Sequence, residues 1–60
     1  MDVSAELDSL MAAPSIGLHR RVDSYSHSEA AGLFAGLEQR DGKAEHDNLW
    51  YLLKDRRKAD

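Results

Sequence analysis

Three histidines, His19, His27 and His46, are the side chains in this sequence best suited to hold a metal ion or carry a proton near neutral pH. A structural zinc site needs about four ligands, commonly brought together by short repeats such as i, i+4 on a helix. Here the histidines are 8 and 19 residues apart, no pair shares a helical turn, and cysteine is absent. No metal site and no cofactor are therefore expected. His27 falls inside a helix cap, where solvation is the ordinary outcome, and His46 falls at the margin of an apolar face, where a neutral packed ring is. Serine, histidine and aspartate are all present, but a nucleophilic triad needs a pocket and an oxyanion hole. So short a helical chain cannot easily enclose a water-excluded cleft. Glu45 and Asp47 project from different sides of a helix and suit its positive N-terminal end better than a shared substrate. The expectation is a protein that is not an enzyme.

Basic residues offer a second chemistry. Arg20 and Arg21, together with Lys54, Arg56, Arg57 and Lys58, could meet phosphates. A helix over 15–24 followed by one over 26–40 would also imitate a helix-turn-helix. The imitation fails where bases would be read: the second helix runs Ala-Ala-Gly-Leu-Phe-Ala-Gly-Leu-Glu-Gln, with no arginine, lysine or asparagine to probe a groove. The C-terminal basic group is interrupted by Asp55 and Asp60, and it suits the negative end of a helix. Net charge points the same way, since 8 basic residues against 11 acidic ones leave −3. General nucleic-acid binders are normally basic. The acidity is nevertheless uneven, with net charges of −3 over 1–14, +1 over 15–27, −2 over 28–42 and +1 over 43–60. Two mildly basic segments keep DNA binding as the second reading. Arg20 to Ser24 also has the outline of a basophilic phosphorylation site, a pattern too frequent by chance to carry weight.

A third feature concerns contact rather than reaction. Glycine inside a helix costs about 1 kcal/mol relative to alanine, so Gly32 and Gly36, one turn apart, need a reason. They lie on a different face from Leu33 and Leu37, with Ala31 and Ala35 beside them. A bare face lets another helix approach closely, and that helix can belong to this chain, to a second copy or to another protein. On the last helix Tyr51 points away from the Leu49–Leu53 face, among Asp47, Lys54 and Lys58, as a tyrosine at a binding hot spot does. Trp50 sits at the edge of the apolar face, positioned for the core and for a dimer contact. Gly32, Gly36, Trp50 and Tyr51 are the candidate protein-binding residues.

These side chains must be positioned by short helices. Val3, Leu7, Leu10 and Met11 share one face of a helix over 2–12, which Pro14 ends by disfavouring helix at Ala13. Leu18, Val22 and Tyr25 keep helical spacing over 15–24, but Gly17, Arg20 and Arg21 weaken the pattern. A short helix and an irregular connection are equally compatible there, and Pro14 suits the first position of such a helix. Ser26 and Glu29 form a capping box that opens a helix over 26–40. Ala30, Leu33, Phe34 and Leu37 are its apolar stripe, and Asp41-Gly42 is its stop. A last helix over 43–58 buries Leu49, Trp50, Leu52 and Leu53. The expected fold is a single all-α domain over 1–60, of three helices or of four with a short second one.

Sixty residues without disulfides sit near the limit at which packing alone offsets chain entropy. Packing as a helical dimer or against a partner would help. No apolar run reaches the about 18 residues of a membrane span, and no signal-peptide pattern opens the chain, so a cytoplasmic setting is the default expectation. The reading that follows is a small protein–protein interaction module, bound to another protein or to a second copy of itself. Adaptor, regulator and inhibitor all fit, including an inhibitor of the kind phages and plasmids encode. The second reading is a small transcriptional regulator contacting DNA through Arg20, Arg21 and the C-terminal basic group.

Overall fold

The computed structural model describes residues 2–40 and 48–58, and among them all regular structure is helical. Four helices follow one another: α1 (Val3–Ala12), α2 (Ser15–Asp23), α3 (His27–Arg40) and α4 (Asn48–Lys58). Local chemistry accounts for most boundaries. Asp2 caps α1, its carboxylate accepting from the amides of Ser4 at 3.1 Å and Ala5 at 3.3 Å. Ala13, forced toward extended backbone by the proline after it, ends α1 at ψ 144°. Pro14 then caps α2 from just outside it, one position earlier than expected, and its carbonyl accepts from the Leu18 amide at 2.9 Å. The capping box forms: the Ser26 amide donates to Glu29 Oε1 at 2.9 Å and the Glu29 amide to Ser26 Oγ at 3.1 Å. The Ser26 amide first, and then the Ser26 side chain, hold the Glu29 carboxyl below its usual range.

The ambiguous stretch after Pro14 is helical because burial decides it. Leu18 and Val22 face inward one turn apart, and Tyr25 continues the row just past the helix end. They join Leu7, Leu10, Ala30, Leu33, Phe34, Leu37, Leu49 and Leu53 in one core. The α3–α4 pair is the most extensive packing, with α1 laid on α3 and α2 on α4. Four side chains depart from the expected stripes. Val3, Trp50 and Leu52 are only partly buried, and Met11 is 49% exposed, with the Arg40 guanidinium against its sulfur. Expectations placed on residues 41–47 lie outside the described residues: the Asp41-Gly42 stop, the start of the last helix at 43, Glu45, His46 and Asp47.

Candidate interaction surface

α4 is anchored by Leu49 and Leu53, both buried, which fixes what its other faces present. Trp50 lies half-buried against Phe34, ring centroids 5.3 Å apart and planes at 45°. Tyr51 then stands edge-on to Trp50, at 5.0 Å and 88°, and is 53% exposed. The outermost ring is thus backed by a second ring, and that one by a third that is almost wholly buried. These ring contacts restrain the Tyr51 side chain. Two cations cover the inner rings: Lys54 Nζ lies 4.8 Å from the Trp50 centroid and Arg57 Cζ 4.2 Å from that of Phe34. Arg57 Nε is buried with no hydrogen-bond partner among the described residues.

The glycines divide. A β-carbon on Gly36 would stand 2.7 Å from Val3 Cγ1 and 3.3 Å from Leu7 Cδ1, so its bare face is filled by α1 of the same chain. The helix that approaches Gly36 is thus α1 of the same chain, and Gly36 stays partly exposed beside it. Gly32 is exposed, with nothing within 4 Å of such an atom, so no packing of the described residues requires it to be glycine.

Most of the basic residues assigned to phosphates are engaged within the chain. Arg21 joins α2 to α1, donating to Glu6 Oε2 at 3.0 Å and to Ser9 Oγ at 2.9 Å. Glu6 also accepts from the Tyr25 hydroxyl, and Arg56 donates to the Tyr25 carbonyl at 2.7 Å. The Tyr25 hydrogen bond holds the Glu6 carboxyl below its usual range; partial burial opposes it and Arg21 assists it. Burial pushes the Tyr25 phenol up, and its carboxylate neighbour pushes it further. Arg20 and Lys58 remain exposed on α2 and at the end of α4. The six basic side chains therefore do not form one free phosphate-binding group. Arg40, unassigned by the sequence, clamps α3 to α1 through Asp8 at 2.7 Å and Ser4 Oγ at 2.8 Å.

His19 and His27 are exposed, and the described residues hold no group of three or more metal-ligating side chains. Two shallow clefts, of about 350 Å³ beside Gly36 and about 330 Å³ beside Met11 and Leu49, are lined by neither histidine nor carboxylate. No described helix is long and apolar enough to cross a membrane. One surface residue escaped the sequence reading. Ile16 is 84% exposed on α2, and its offset from the Leu18–Val22–Tyr25 row was the available signal. No known family, curated protein or solved structure matches the chain.

Proposed function

We propose that this chain is a small non-catalytic interaction module, an adaptor, regulator or inhibitor, that engages another protein through the outer face of α4. The observation that supports this best is Tyr51, half exposed yet held edge-on by Trp50, whose ring packs at a tilt against buried Phe34. Exposed aromatics with fixed geometry are the side chains that most often dominate binding energy. A chain near the lower size limit for independent folding also gains stability from anything that binds its folded form. Trp50 contributes from the edge of the same face. A second copy of the chain is the other occupant this reading allows.

Affinity capture with the intact chain, Tyr51→Ala and Ile16→Ala tests it, with melting curves confirming that each variant folds. Tyr51→Ala should weaken the captured complex by about 30-fold or more, the loss expected at a hot spot. Capture that survives Tyr51→Ala, or that is lost only with Ile16→Ala, would move the interface away from α4. Sedimentation separates the occupants: a mass above 6.7 kDa for the purified chain, with a melting temperature that rises with concentration, identifies a second copy.

A further inference from the structure

We infer that the segment bound by α4 is acidic: an Asp/Glu-rich stretch of a partner protein, with an apolar or aromatic residue to lie against Tyr51. This rests on α4 being the contact surface. Lys54, Arg56, Arg57 and Lys58 against Asp55 give α4 a net charge of +3 in a chain whose total is −3. The other described residues carry −3, the charge of Asp2, Glu6 and Asp8 at and in α1, while 15–40 sum to zero. An approaching anionic segment therefore meets a concentration of positive charge on α4 and of negative charge on α1. That separation of charge orients encounter and raises its rate.

The local arrangement fits the same occupant. Lys54 and Arg57, three residues apart on one helix, lie over two stacked rings, and Lys58 follows Lys54 by one turn. Like charges at these spacings repel each other. Among the described residues the ion pairs are Arg21–Glu6 and Arg40–Asp8, neither of which involves this row. Carboxylates arriving from outside would relieve that repulsion. Tyr51, beside the row, supplies the apolar contact that salt does not screen. A nucleic acid fits less well, since Arg56 is committed to the Tyr25 carbonyl and the chain as a whole is acidic.

The test titrates the full chain with three synthetic peptides of equal length and equal apolar content, carrying glutamates, lysines or serines at the polar positions. Amide shifts and the fluorescence of Trp50, the one tryptophan, report binding. The glutamate peptide should give saturable shifts confined to 50–58, weakened about tenfold by Lys54→Glu with Lys58→Glu and weakened again by added salt. Lys58→Gln alone, at an exposed helix end, should give a smaller loss, with circular dichroism confirming that the chain stays folded. A glutamate peptide that binds no better than the serine or lysine peptide overturns the inference. So does tighter binding of single-stranded oligothymidine or of phosphatidylserine vesicles to the same face. If the serine peptide binds at Tyr51 as well as the glutamate one, α4 stands as the surface and only its preference for acid falls. If no peptide shifts 50–58 while sedimentation shows a monomer, both readings fall.

Discussion

Replacing Gly36 by alanine tests the close approach of α1 to α3, because propensity and packing pull in opposite directions there. Gly36 and Gly32 both lie in the interior of α3, so either alanine gains about 1 kcal/mol of helix propensity. At Gly32 nothing opposes that gain, and Gly32→Ala should raise the melting temperature by about 4–8 °C. At Gly36 the new methyl would stand 2.7 Å from Val3 Cγ1, well inside contact distance. Leu7 Cδ1, at 3.3 Å, can turn aside, being the far end of a flexible chain. Val3 cannot do so as easily, because branching at Cβ leaves a helical valine essentially one rotamer. Relief requires an off-rotamer Val3 or a shift of α1, and such overpacking costs about 1–3 kcal/mol. The shared propensity gain cancels when the two alanine variants are compared, so Gly36→Ala should be less stable than Gly32→Ala by about 1–3 kcal/mol. Urea and thermal unfolding followed by circular dichroism at fixed protein concentration would measure this. Val3→Ala in the Gly36→Ala background removes the obstructing methyl, and a favourable coupling of at least about 0.5 kcal/mol should appear in the double-mutant cycle. Equal stabilisation by both alanines, or a coupling near zero, would refute the seating of α1 on Gly36.

Two further perturbations address the bonds that close the bundle. Glu6→Gln should destabilise the chain at pH 7 by about 1 kcal/mol, the ordinary net worth of a partly exposed charged hydrogen bond. Because the folded Glu6 carboxyl titrates below its unfolded value, its contribution is complete above the unfolded pKa and is lost as pH falls through the folded one. Melting temperatures of wild type and Glu6→Gln should therefore converge on acidification, and a gap that stays constant with pH would show that the carboxylate charge is not involved. Ser26→Ala removes the hydroxyl half of the capping box and should lower the melting temperature by about 4–8 °C, the equivalent of about 1 kcal/mol; an unchanged melting curve would show that the cap contributes nothing.

What the residue order reveals here is what is settled within a few positions. The Ser26–Glu29 box and the break before Pro14 are both local, and both appear where the sequence places them. The outward position of Tyr51 is likewise a matter of helical phase. The stretch over 15–24 stayed ambiguous because glycine and two arginines blur its own preference, and its helix is stabilised by burying Leu18 and Val22 against residues distant in sequence. Arg21 shows the limit most clearly. Its partners Glu6 and Ser9 lie 15 and 12 residues away, so its side chain looks free on paper and is tied down in the fold. Gly36 is the same case for shape: the sequence shows that a helix can approach, while α1 rather than a partner does so.

Arginine and lysine have divided the work in a way that bears on function. Arg21 reaches from α2 to α1, Arg40 from α3 to α1, Arg56 from α4 to the Tyr25 carbonyl, and Arg57 from α4 over Phe34 of α3. Each uses the planar fork or flat face of guanidinium to join two parts of the chain. A domain with so small a core needs such ties, and an arginine held in one contributes its charge to the surface more than free donors. The lysines of α4 are different. Lys54 rests on Trp50, and Lys58, one turn on, stays exposed. On the proposed reading these lysines would steer and select, while Tyr51 would supply the desolvated contact. Substituting arginine for Lys54 would therefore be no neutral exchange. A guanidinium there keeps the positive charge, stacks more fully on Trp50 than the ammonium does and can meet a carboxylate through two donors. Lys54→Arg should therefore hold or raise the melting temperature and bind the glutamate peptide at least as tightly as the unchanged chain, while Lys54→Gln binds it less; weaker binding by Lys54→Arg would show that the charge of Lys54 does not meet the peptide.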